Sequence, residues 1–154
     1  MRGKADQQTS MLSLRSPEER VAADHPLRAV KRIADEVLKE FSPMLDGLYS
    51  KRGQHSIPPE RLLKASVLMA LHSVRSERLF CEQLDYNLLY RWFLDMNQDE
   101  ASFDHSTFSF NRKRLMNAEV AQHFFGAVVG YAQAQGLMSA EHFSVDGTLV
   151  EAWA

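Results

Sequence analysis

Apolar residues recur every three or four positions through most of this chain, which predicts a succession of amphipathic helices. The first follows His25-Pro26 and carries Leu27, Val30, Ile33, Ala34, Val37, Leu38 and Phe41 on one stripe. Ser42-Pro43 is expected to end it, because the residue before a proline avoids helical backbone. Residues 48–55 read as a loop. Pro58-Pro59-Glu60 then opens a helix in which Leu62, Leu63, Val67, Met69, Ala70, Leu71 and Val74 cover more than half the circumference. That helix should sit centrally in the core. Ser76 can cap the next helix, which bears Leu79, Phe80 and Leu84, and residues 88–94 continue an aromatic-rich helical stretch. Asp104 is an N-cap for a helix over 105–115. A further helix over 118–135 places Val120, Phe124, Val128 and Tyr131 on one face and ends at Gly136. Only beyond Ser139 does the period change to two, with Phe143 and Val145 alternating with Ser144 and Asp146.

The fold class predicted is therefore mainly α, with one strand or hairpin at the C-terminal end. Residues 1–23 are polar and lack a clear period, so they read as a flexible arm with a short turn of helix near 18–22. Residues 24–138 read as the helical domain, and 139–154 as the start of something else.

Composition narrows the class. In 154 residues, 45% are hydrophobic and 25% charged, as in a globular protein. No apolar run approaches the ~20 residues that span a bilayer, so no membrane partner is expected. Arg2 and Lys4 are not followed by an apolar stretch, which argues against a secretory signal and makes the cytoplasm the default location. The one cysteine, Cys81, lies beside Phe80 and Leu84 and reads as a buried, inert thiol. Net charge is −2, from 18 basic and 20 acidic side chains, so bulk charge does not announce a polyanion-binding protein. The distribution is more informative. Arg112, Lys113 and Arg114 stand in a stretch from His105 to Asn117 that has no acid, whereas Asp95, Asp99, Glu100 and Asp104 collect just before it.

Two constellations can carry chemistry. In the helix 105–115, Phe108 and Leu115 can face the core together, leaving Ser106, Thr107, Ser109, Arg112 and Lys113 for the surface. Hydroxyls near a helix N-terminus followed by guanidinium and ammonium groups suit contacts to DNA phosphates and groove insertion. A capped helix with a basic end is also an ordinary surface helix, since cations are favoured near its C-terminus. The second constellation is Val145-Asp146-Gly147-Thr148. Asp-Gly between apolar residues reads first as a two-residue hairpin turn; the functional alternative is a strand end presenting a carboxylate to Mg²⁺. The six histidines have no zinc-ligand spacing, and Trp92 reads as core. No phosphate-cradling glycine loop and no Ser/His/Asp set is present.

Six stretches, in order, resemble the N-terminal part of bacterial DDE transposases of the insertion-sequence-5 group, the InsH type. They are Asp24-His25-Pro26-Leu27-Arg28; residues 56–63; Arg75-Ser76-Glu77-Arg78; Asn87-Leu88 with Arg91-Trp92-Phe93; residues 104–109 with Asn111-Arg112; and Val145-Asp146-Gly147-Thr148. The resemblance implies a helix-turn-helix-like domain that binds the double-stranded terminal inverted repeats of its element. His105, Ser106, Thr107, Ser109, Asn111, Arg112 and Lys113 are its candidate DNA contacts. It also implies the first strand of an RNase H-like domain, with Asp146 as the first catalytic and metal-binding acid of three. Mg²⁺ ions in the complete family enzyme activate water, and then a 3′ hydroxyl, for strand cleavage and transfer. The second Asp and the Glu have no counterpart here, and the chain stops at Ala154, eight residues past Asp146. The expectation is a truncated transposase that holds no metal and is inactive alone. Alternatives are the first half of a frameshifted element, or an association module that pairs with itself or with full-length transposase. Phe110 stands where relatives often carry a basic residue, which weakens the positive face of the helix.

Overall fold

A computed structural model describes residues 15–49, 56–116 and 119–138. Among these residues the protein is all-helical, as the apolar periods predict. The helices are α1 (Pro17–Arg20), α2 (Leu27–Gly47), α3 (Pro59–Leu71), α4 (Glu77–Tyr86), α5 (Leu88–Phe93), α6 (His105–Met116) and α7 (Glu119–Ala134). The expected strand at 143–146 lies outside the described residues.

Local signals set most helix ends. The Ser76 hydroxyl accepts from the Leu79 amide at 3.2 Å, which caps α4. Asn87 caps α5 by accepting from the Leu89 and Tyr90 amides at 3.1 and 3.2 Å. At the end of α7, Gly136 takes a φ of +67°. The Gly136 amide bonds the Gln133 carbonyl at 3.0 Å, and the Leu137 amide reaches back to Ala132 at 2.9 Å. That pair of bonds is the glycine-ended closure expected from the sequence. Two helices close the same way without glycine: Ser73 after α3 (φ 51°) and Asp95 after α5 (φ 53°).

One expected boundary is corrected. α2 does not stop at Ser42-Pro43 but runs through Pro43 to Gly47. An interior proline costs about 3 kcal/mol through its lost hydrogen bond and steric clash. The residues beyond it bring Leu45 into the core, fully buried, and burying a leucine contributes about 1.5–3 kcal/mol. Tertiary burial thus offsets most of the local penalty.

The core forms around α3. Leu62, Leu63, Ala65, Val67, Leu68 and Met69 are all buried, so this helix is covered on nearly every side. α2 lies along α7, joined by an edge-to-face contact of Phe41 and Phe124 with ring centres 6.5 Å apart. Across the other side runs a ladder of four rings: Tyr90, Phe80, Phe108 and Phe103, with successive centres 5.6, 5.6 and 5.9 Å apart. It ties α5, α4 and α6 into one aromatic wall and fixes the rotation of α6.

Within the stretch expected to be an arm, residues 15–23 are packed on the domain. Ser16 and Glu19 cap α1 reciprocally. The Arg28 guanidinium donates to the carbonyls of Glu18, Val21 and Ala22 at 2.8–3.0 Å. The Trp92 indole N–H donates to the Glu18 carboxylate. Arg28, and then Trp92, hold that carboxyl below its ordinary pKa.

Candidate nucleic-acid interface

Helix α6 begins where Asp104 accepts the Thr107 amide at 2.8 Å. This backbone hydrogen bond stabilises the ionised form and holds the Asp104 carboxyl below its usual range. Three side chains of α6 turn inward: Phe108, Asn111 and Leu115. They recur at three and four residues and define the core side of the helix.

The far side follows from the same period. Ser106, Ser109, Phe110 and Lys113 stand at i, i+3, i+4 and i+7 and form a stripe opposite the core. Ser106, Phe110 and Lys113 are exposed and Ser109 is half-buried. His105, Thr107 and Arg114 flank this stripe and are also exposed. No acidic residue lies on α6. The Arg114 guanidinium sits 4.9 Å from the Tyr49 ring centre.

Two of the seven DNA contacts expected from the sequence are not placed with the others. Asn111 is buried, and its amide donates to the Thr107 carbonyl at 2.8 Å. Arg112 is committed to the fold: Nε donates to the Ser66 hydroxyl at 2.9 Å and Nη1 to the Glu77 carboxylate at 2.7 Å. It fastens α6 to α3 and α4. His105, Ser106, Thr107, Ser109 and Lys113 do share the accessible side.

Sequence reasoning missed an ionic cluster at the junction of α2, α3 and the end of α5. Lys64 is buried with its ammonium 2.6 Å from Asp35, and it also pairs with Asp95. Lys31 bridges the same two carboxylates at 2.9 and 2.6 Å. Burial opposes the charge on Lys31 and Asp95, but the mutual hydrogen bonds prevail. Lys31 titrates above, and Asp95 below, its ordinary value. Beside the cluster, Arg61 pairs with Glu100 and donates to the Asp95 carbonyl at 2.9 Å. A groove of about 660 Å³ opens here, lined by Asp35, Lys39, Glu60, Arg61 and Lys64 among others. The only sequence signal was one lysine inside the largely apolar run 62–69. The cluster's charges satisfy one another, so it reads as a structural junction.

Cys81 is buried and its thiol is pushed up to about 11, chiefly by desolvation, so it is unreactive at neutral pH. Among the described residues no group of three or more His, Cys, Asp or Glu could hold a metal ion. Asp146, the expected catalytic and metal-binding acid, lies outside the described residues. No helix among the described residues is long and apolar enough to cross a membrane.

These features define, among the described residues, an all-helical domain with an ionic junction centred on the buried Lys64 and one partly exposed helix that is basic and free of acids. The family model described as Transposase domain (DUF772) matches residues 15–114, more than half of the chain, and the protein belongs to that family. The match runs from just before α1 to the basic end of α6. No curated protein and no solved structure matches the chain.

Proposed function

We propose that this chain provides the DNA-recognition region of a DDE transposase of the insertion-sequence-5 group, and that α6 is its recognition helix. One observation carries the reading. α6, which falls in the family-matched region up to Arg114, is held by Phe108, Asn111, Leu115 and Arg112, while Ser106, Ser109 and Lys113 face away from the core. A helix fixed on one side, with hydroxyls and cations on the other and no acid within it beyond the capping Asp104, suits double-stranded DNA. Lys113 and Arg114 would neutralise phosphates. Ser106, Ser109 and His105 would approach the backbone and base edges near the helix N-terminus. The terminal inverted repeats of the element are the proposed target.

The resemblance around Asp146 supports a role as the first of three metal-binding acids. Mg²⁺ held by the complete set would activate the attacking oxygen. A single carboxylate does not build such a site.

Fluorescence anisotropy tests the DNA reading. The expected result is tighter binding to the inverted repeat than to a scrambled duplex, with affinity falling as salt rises. Equal affinity for both duplexes across the salt series would overturn specific recognition.

A second reading, protein association, is favoured by α7. After Glu119, residues 120–138 contain no Asp, Glu, Lys or Arg. Val129 is exposed, and a shallow apolar depression of about 380 Å³ is lined by Ala127, Gly130, Tyr131 and Ala134. Loss of charge is the mark of an interface centre. A second transposase chain is the proposed partner. Light scattering that shows only monomer at high concentration, together with no effect on transposition by co-expressed full-length enzyme, would reject it.

A further inference from the structure

Phe110 is 70% exposed, more than any other large hydrophobic side chain among the described residues. It takes no part in the aromatic ladder, although Phe103 and Phe108 on either side of Asp104 both do. The ring sits in the middle of the outward stripe of α6, four residues after Ser106 and three before Lys113. Its neighbours on that stripe, Ser106 and Ser109, are short, so a flat apolar group is the bulkiest feature of a face otherwise made of hydroxyls and cations.

A major groove offers such a group one distinctive apolar partner, the 5-methyl of thymine. Phosphates and sugars offer a phenyl ring nothing comparable. The minor groove carries no methyl, and a ring inserted there would act as a wedge between base steps. The acid-free helix, with Lys113 and Arg114 at its far end, suits docking along a groove between phosphate rows.

We infer that Phe110 is a specificity-determining residue that packs on a thymine 5-methyl group in the major groove, selecting an A·T pair at one position. This rests on the reading of α6 as a DNA-contacting helix.

The test uses the full 154-residue chain. Duplexes enriched by the chain from a randomised pool are resynthesised with uracil in place of thymine, one position at a time, and titrated by anisotropy. Uracil differs from thymine only by the methyl. At one position the wild-type chain should lose about four-fold in affinity, the equivalent of one buried carbon. Phe110→Ala should bind the thymine duplex about as weakly as the wild type binds the uracil duplex, and should not discriminate between them. Phe110→Leu should retain part of the discrimination, and Tyr86→Ala, an exposed aromatic on α4, should behave as wild type. Thymine preference that persists in Phe110→Ala, or tight binding with no thymine-to-uracil effect at any position, overturns the inference while leaving the DNA reading intact. An equal loss on both duplexes would assign the ring to wedge insertion and also overturn it. Failure of the wild-type chain to bind any duplex in a salt-dependent way would refute the DNA reading itself, and this inference with it.

Discussion

Replacing Lys64 should show how much of the fold depends on its ionic junction. The side chain is 2% exposed, while its partners Asp35 and Asp95 are 35% and 62% exposed. Its ammonium also lies 5.8 Å from the centre of the Phe93 ring. Removing one member of a fully buried pair costs about 3–5 kcal/mol, because the remaining charge is stranded. Here water reaches both carboxylates and Lys31 still bridges them, so the cost must be discounted for screening. We expect about 2 kcal/mol for Lys64→Met, which keeps the aliphatic stem. Lys64→Ala also deletes three methylenes, each worth about 0.8 kcal/mol, bringing the total to about 4 kcal/mol. Against a typical domain stability of about 5–15 kcal/mol, that loss removes between about a quarter and four-fifths of the total. Urea titrations followed by circular dichroism at pH 7 measure both variants. The gap between wild type and Lys64→Met should narrow in acid, where Asp95 takes up its proton. A difference under about 0.5 kcal/mol at pH 7, or a gap unchanged in acid, would refute the assignment of Lys64 as the organising charge.

Other expectations follow from single contacts. Arg112→Ala should cost about 1–2 kcal/mol of stability by leaving Glu77 and Ser66 without their donor, whereas Lys113→Ala should leave stability within about 0.5 kcal/mol. On DNA, Lys113→Ala should reduce the slope of log affinity against log salt by about 0.9, the signature of one phosphate contact. Gly136→Ala should cost about 1 kcal/mol in thermal denaturation, because alanine is strained at a φ of +67°. The Asp95 carboxyl lies below its ordinary 3.8, so its contribution is full above that value and lost as pH falls through the lower folded value. Lys31 lies above its ordinary 10.5, so its contribution is full below that value and lost as pH rises through the higher folded one. Stability from these two groups should therefore form a plateau between these limits, which urea midpoints across pH will show.

The helices were legible where local chemistry decides them. Asp104, Ser76 and Gly136 each act within a few residues of their own position, and each does what its residue type predicts. The apolar stripe of α2 falls on the core side because burial follows helical period, whereas α3 is buried from Leu62 to Met69 and leaves the expected core residues Ala70 and Leu71 exposed. What stayed hidden depends on partners far along the chain. Arg112 reads as a surface cation until Glu77 and Ser66 are brought to it from α4 and α3. Lys64 reads as an intrusion in an apolar run until Asp35 and Asp95 surround it. Asn111 looks like a polar contact residue, yet its amide finds the Thr107 carbonyl one turn back. Pro43 shows the converse, a strong local stop overridden by the burial of Leu45. Helix α6 was thus legible as an element, while which of its polar side chains stay on the surface was not, because a helix face is set by its neighbours.

The central claim is that the outward stripe of α6 touches DNA, and site-directed photo-crosslinking tests it most directly. Cys81 is buried with a thiol raised to about 11, so a cysteine introduced on the surface can be labelled selectively. Chains carrying Ser109→Cys on α6 or Val129→Cys on α7 would each be labelled with a photoreactive group and irradiated with inverted-repeat duplex. The account predicts a strong DNA adduct from position 109 and little from 129. An adduct from 129 with none from 109 would contradict it.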